Sequence, residues 1–302
     1  MGTKVRKTHL TKGKITLLCM TIPSVLFILV FSYFPISGWI YSFFDYRIGY
    51  KLSKCEFVGL DNFKVIFSKD ENYMKILGNT LEFTFVTTIF KNVFGLALAV
   101  LMTKAVKLLN FHRGIMFMPS VLSTLILGMI FSSILDPANG ILNHFLRMIG
   151  LDSLAMQWLT SVDWAFPSVM AVDIWRGTGY IMTILVAGLL SIAAEYYEAA
   201  SIDGANGWQK FRYITFPLLL PTLTTTTVLN VIYGLKVFDM VYALRNGGPG
   251  KATTEVLYTE VFKRFGTGQY AIGTALSSVM FVFMVVIGYF MIRVMTRNEV
   301  QE

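Results

Sequence analysis

The sequence predicts an all-α membrane protein with six transmembrane helices. Of its 302 residues, 55% are hydrophobic, and the mean hydropathy is +0.60. Only 15% are charged, where a soluble domain carries about a quarter. Several runs of about 20 residues or more hold no charge, which is the length that crosses a bilayer. A polar hairpin sits between two of these apolar stretches.

The elements follow in chain order. Residues 1–14 carry Lys4, Arg6, Lys7, Lys12 and Lys14 and no acid. Residues 15–44 carry no charge. At about 1.5 Å per residue they exceed a straight span, and Pro23 and Pro35 can kink them. Residues 45–75 are a mixed polar loop. The second span is expected over 77–103, with Glu82 and Lys91 inside it. A short link with Lys104, Lys107 and Arg113 leads to a third span over 114–135. The loop 136–163 opens with the turn signal Asp136-Pro137-Ala138-Asn139-Gly140. The fourth span is expected over 164–190, with Asp173 and Arg176. After the hairpin comes a fifth span over 216–243, with Lys236 and Asp239. The loop 244–267 contains Asn246-Gly247-Gly248-Pro249-Gly250. The sixth span is expected over 268–292, closed by Arg293 and Arg297.

Six spans put both termini on one side of the membrane. Lys and Arg divide almost evenly between the two sets of loops, but the external set is diluted by Asp45, Glu56, Asp61, Asp70 and Glu71. The basic flank of the first span then sets the orientation, with the termini and the hairpin inside. The net charge of +8 reads as span flanks rather than a nucleic-acid footprint. Cys19 and Cys55 cannot build a disulfide framework. Cys19 follows Lys14 too closely to be a lipid-anchor site, and no small-residue cleavage site follows the first span, which is read as a retained anchor.

The sequence holds no recognisable chemistry. Gly248-Pro-Gly-Lys251 has Arg245 where a Walker A loop needs its first Gly and Ala252 where it needs Ser or Thr. His9, His112 and His144 lack ligand spacing, and no nucleophile–base–acid set occurs. No catalytic residue, metal site or cofactor is expected. The charges inside spans carry more information, because a mid-membrane charge costs roughly 2.5–3.5 kcal/mol on insertion scales. Asp173 and Arg176 are three apart, and Lys236 and Asp239 repeat that spacing. They read either as two intrahelical pairs or as a polar path built by the fourth and fifth spans. The run Thr224–Thr227 reads as helix-packing glue or as pore lining.

The hairpin, residues 195–221, is the most specific segment. Glu198-Ala199-Ala200 favours helix. Gly204 and Gly207 can supply a break or a left-handed residue to end it. Trp208, Phe211 and Tyr213 suit an interfacial anchor. Glu198-Ala199-Ala200, Asp203-Gly204-Ala205 and Leu220-Pro221 together resemble the EAA loop of ABC importer permeases. The resemblance covers nearly the whole chain and is similar in kind to the maltose-type, sugar-importing subgroup. Val58-Gly59-Leu60-Asp61-Asn62-Phe63 resembles an element after that subgroup's first span. Asn79-Thr80-Leu81 resembles the start of its core domain, and Asn246-Gly247-Gly248-Pro249 its external loop. One departure is Ala193, where the family often has Pro; it is expected to lengthen the helix into the loop.

The resemblance implies a type I ABC importer permease fold with a cytoplasmic EAA coupling helix. It divides the chain into a basic tail (1–14), a first span with its external loop (15–75), a core permease domain (76–297) and a short tail (298–302). Glu198, Ala199, Ala200, Asp203 and Gly204 would dock on an ATPase. Carried over by position, substrate contacts fall on Arg176, Gly177 and Tyr180 in the fourth span. In the fifth they fall on Asn230, Tyr233, Gly234 and Val237. The two glycines, 177 and 234, would widen the path for a bulky oligosaccharide, and Arg176 suits a uronate. The implied partners are a second homologous permease in a heterodimer, two ABC ATPase subunits, an extracytoplasmic solute-binding protein, a carbohydrate and the lipid bilayer. The implied place is the bacterial inner membrane. A non-sugar substrate such as a glycerol phosphate ester is the other reading for an importer. A secondary carrier would show inverted repeats, and none is visible.

Overall fold

The structure is a computed structural model, and it describes residues 12–47, 49–68, 72–103, 108–245, 248–250 and 252–296. Among the described residues its regular secondary structure is helical, apart from a single antiparallel bridge between Phe44 and Phe57. Lys104, Lys107, Asn246, Gly247, Lys251, Arg297, residues 1–11 of the basic tail and the tail 298–302 lie outside the described residues.

The first apolar run forms α1 (Lys12–Ile28), a widened turn Leu29–Tyr33, α2 (Phe34–Ser37) and a tight 3₁₀ stretch Gly38–Phe43. The helix passes straight through Pro23, and the widened turn falls just ahead of Pro35, which has no N–H to return. The polar loop is tied back to the first run. In α3 (Asp61–Ile66) the Asn62 amide donates to the Ser42 carbonyl at 2.8 Å and the Phe44 carbonyl at 3.0 Å. The second span is α4 (Tyr73–Leu101). Its buried positions Phe83, Thr84, Thr87, Thr88, Lys91, Gly95 and Ala99 recur at helical spacing.

The third span is not one helix. α5 (Leu109–Val121) and α6 (Thr124–Ile134) meet at a bend of 94°. Pro119 cannot donate to the carbonyl one turn back, and Leu122 and Ser123 then turn extended, with ψ of 144° and 129°. The expected single span over 114–135 is therefore a broken pair. The external loop after it holds α7 (Ile141–Met148). Asp136 accepts the N–H groups of Ala138 and Asn139, and Trp158 donates to Asn143 at 2.8 Å.

α8 (Ala165–Leu190) is the fourth span. The hairpin follows as α9 (Ala194–Ile202) and α10 (Gly207–Lys210). α10 runs through the widened turn Phe211–Thr215, just ahead of Pro217, into α11 (Phe216–Leu235). The fifth span is thus Gly207–Leu235, shifted toward the hairpin relative to the expected 216–243. It stops at Leu235. α12 (Asp239–Arg245) is a separate short helix, so Lys236 and Asp239 do not share a helical face. α13 (Leu257–Gly266) lies in the last loop, and α14 (Tyr270–Thr296) contains the sixth span.

Among the described residues, five helices are long and apolar enough to cross a membrane, or six when the bent pair is one span. α4 is the hub: it packs against α8 and α11, while α5 packs on α8. Gly179 of α8 lets this last contact close, because a Cβ there would collide with the Met116 carbonyl oxygen. The start of α4 is clamped to the last loop. The buried Asn79 amide donates to the Ala252 carbonyl at 2.8 Å and the Glu255 carbonyl at 2.9 Å. Thr80 accepts the Leu257 N–H at 3.0 Å. The short Asn62 and Asn79 motifs thus hold loops to helices.

Candidate transport path and coupling hairpin

Three spans meet at one carboxylate. Asp173 of α8 is fully buried, and so is Lys91 of α4, 2% exposed. The Lys91 ammonium donates to Asp173 Oδ2 at 2.5 Å, and the Tyr233 hydroxyl of α11 donates to Oδ1 at 2.8 Å. The ammonium also sits over the Tyr233 ring, 4.4 Å from its centre, a cation–π geometry. Buried charges persist only with a partner and additional hydrogen bonds, and this network supplies both. Asp173 therefore does not pair with Arg176, its expected neighbour three residues on. Gly177 explains the choice: a Cβ there would lie 2.6 Å from Lys91 Cε, so the lysine stem occupies the space that the glycine leaves.

Beside this network lies a cavity of about 440 Å³. Its walls are Lys91 of α4, Phe117 and Ser120 of α5, Arg176, Gly177 and Tyr180 of α8, and Leu229, Asn230 and Tyr233 of α11. Buried Arg176 Nε and Asn230 Nδ2 have no hydrogen-bond partner. Five sequence-predicted residues, Arg176, Gly177, Tyr180, Asn230 and Tyr233, thus share one wall. Gly234 and Val237 are not part of it. A Cβ on Gly234 would lie 2.7 Å from the Thr84 Cα, so this glycine brings α11 against α4 instead of widening a path. Val237 is 2% exposed and packs with Met240 and Val241 in an apolar cluster. Lys91 and Ser120 were not singled out from the sequence. A charge inside a span was the signal for Lys91, and Glu82 in the same span carried that signal too although it is exposed and lies outside the wall.

The hairpin is built for rigidity. Ala193 is extended, with ψ of 137°, so the helix of the fourth span stops before the hairpin and α9 starts anew. The departure from Pro at this position does not lengthen the helix. Gly204 is left-handed, with φ of +76°, and the Ala205 N–H reaches back to the Ala200 carbonyl at 2.8 Å, a left-handed helix cap. Gly207, in contrast, opens α10 after Asn206. Asn206 and Gln209 cap each other's backbone at 2.9 and 2.7 Å. Two bonds cross the hairpin: Lys210 donates to Ser201 Oγ at 2.6 Å, and the Tyr197 and Thr215 hydroxyls meet at 3.0 Å. No residue of α9 is buried. Ile202 is 88% and Trp208 70% exposed, so the tip stands clear of the rest of the chain.

Residues 91–299 match the family described as "Binding-protein-dependent transport system inner membrane component". The chain belongs to that family. It is a membrane-embedded permease component of a binding-protein-dependent ABC importer, and its work is transport, not catalysis. A solute-binding protein and an ATPase complete such a system. The trehalose/maltose transport system permease protein MalF of Thermococcus litoralis is 32% identical over 87% of this chain and 88% of its own length. The sn-glycerol-3-phosphate transport system permease protein UgpA of Agrobacterium fabrum is 33% identical over 82% of this chain and 83% of its own length. Among solved structures, a bacterial ABC transporter involved in the import of the acidic polysaccharide alginate aligns with a TM-score of 0.83 and 26% identity. That alignment covers 95% of this chain and 96% of the other. The type I permease fold expected from the sequence is thereby established. The broken third span and the shifted fifth are refinements within it.

Proposed function

We propose that the chain forms half of the translocation path for an oligosaccharide, with the Arg176–Tyr180–Asn230–Tyr233 cavity as its substrate-contacting surface. The observation that carries this reading is the cavity wall itself. Aromatic rings from two different spans flank polar groups at membrane depth, and such rings stack on pyranose faces while Arg and Asn donate to ring substituents. The similarity to saccharide-importing permeases supports it. A glycerol phosphate ester is the second reading, favoured by the Agrobacterium relative.

The hairpin is the coupling element in this proposal. Glu198, Ala199 and Ala200 on α9, with Asp203 and the left-handed Gly204 at its end, present a rigid, exposed helix to a groove on an ATPase. The termini and hairpin are then cytoplasmic, the loops holding α3, α7 and α13 face the binding protein, and a second, homologous permease closes the path. Closure of two ATPase subunits moves the hairpin, and the spans alternate between two packed states.

Uptake assays test the path. Tyr180→Ala and Tyr233→Ala should each lower oligosaccharide uptake while the assembled complex is recovered at normal yield. Tyr233→Phe separates stacking from the Asp173 hydrogen bond, since it keeps the ring. Unchanged uptake in both alanine variants would end the cavity assignment.

A further inference from the structure

We infer that the cavity holds an oxyanion subsite. Arg176 Nε and Asn230 Nδ2, backed by the Lys91 ammonium, take a carboxylate or phosphate group carried by the transported solute. This rests on the reading of the cavity as part of the translocation path.

The pattern of used and unused hydrogen bonds points one way. Arg176 Nε and Asn230 Nδ2 are buried and have no partner, and Asn230 as a whole is only 5% exposed. A buried donor without an acceptor destabilises the fold. Among the described residues, none of the acceptors around the wall is bonded to either donor. Asp173 gives Oδ2 to Lys91 and Oδ1 to Tyr233. Ser120 donates its hydroxyl proton to the Phe117 carbonyl of its own helix, and its oxygen accepts from neither donor. The wall therefore offers two unused donors, and an acceptor carried by the occupant would satisfy them.

Charge narrows the occupant further. The lining holds the cations Lys91 and Arg176 and no carboxylate, and the buried Asp173 beside it is paired with Lys91, so Arg176 carries the charge that no ion pair meets. Lys236 and Asp239 are exposed outside the lining; Asp239 is close enough to act on the Tyr233 hydroxyl, but it faces solvent and is bonded to no cation of the wall. Glu82 is exposed on α4 and does not line the cavity. A neutral hydroxyl could accept from Asn230 but would leave the guanidinium uncompensated beside Phe117 and Leu229. An oxyanion satisfies the donors and the charge together, and arginine presents its donors in a fork that fits carboxylate and phosphate.

The test uses the importer purified through a tag on this chain, with the subunits that accompany it, in lipid nanodiscs. Three probes are compared at matched ionic strength by thermal shift and by tryptophan fluorescence, for which Trp175 is the neighbouring reporter. They are trigalacturonate, glycerol 3-phosphate and maltotriose. At least one anionic probe should bind saturably and at least tenfold more tightly than maltotriose. Arg176→Gln should abolish that preference, Arg176→Lys should retain part of it, and Asn230→Ala should weaken it without changing the charge. Equal binding of maltotriose and trigalacturonate, an anion preference that survives Arg176→Gln, or no binding of either anion would overturn the inference. Maltotriose binding alone sinks the oxyanion subsite and leaves the saccharide reading standing. Glycerol 3-phosphate binding alone does the reverse.

Discussion

Lys91 of the second span and Asp173 of the fourth are joined at 2.5 Å, with side chains 3% and 0% exposed. The bond ties α4 to α8 at the level where α11 adds Tyr233. Its position in the wall of the cavity makes it both a structural cross-link and the source of the local charge balance.

Removing one partner strands the other. Lys91→Met or Asp173→Leu alone should destabilise the protein by about 3–5 kcal/mol, because an uncompensated charge stays buried. The double variant should recover most of the loss. Thermal unfolding in detergent, followed by intrinsic fluorescence, reads this directly. A double variant no more stable than either single would show that the pair does not cross-link the spans.

Asn79 clamps the start of α4 to the last loop through the Ala252 and Glu255 carbonyls. Asn79→Ala leaves those acceptors unmet and should cost about 1–3 kcal/mol. The effect should be local: protease cleavage after Lys263 should accelerate while cleavage in the hairpin stays at the wild-type rate. Equal acceleration at both places would argue against a local clamp.

Gly234 should behave as a packing residue. Gly234→Val puts methyl groups into the Thr84 backbone and should lower stability by about 1–3 kcal/mol. If the position instead opened on the path, the variant would keep its thermal stability and lose only uptake.

Gly204→Asp addresses the hairpin. The backbone there has φ of +76°, and a Cβ would meet nothing within 4 Å, so the substitution strains the turn without a steric clash. The protein should still reach the membrane, but the ATPase should fail to co-purify at normal yield. Normal co-purification with substrate-stimulated hydrolysis would remove the coupling role.

The membrane class, the helical architecture and the family were legible in the chain itself. Charge-free runs follow from the solvent: a bilayer tolerates few charges at any span, so the spans show in the sequence even where their bounds do not. The turn at Gly204 was equally legible, since it is a local device whose partners lie within about one turn; the Asn206–Gln209 cap is as local but was not read from the sequence.

What depends on which helices touch was not legible. Spacing on one helix suggested Asp173 with Arg176, and the fold chose Lys91, which lies 82 residues away. Gly177 and Gly234 look alike in sequence, yet one borders the cavity and the other seats α11 on Thr84. The bend at Leu122–Ser123 likewise replaced a span that hydropathy alone draws as continuous. Local sequence sets where a helix starts, stops and meets lipid, because those energies depend on neighbours along the chain. The partner of a buried charge is set by the competition among helices packed around it, and that competition exists only once the bundle has formed.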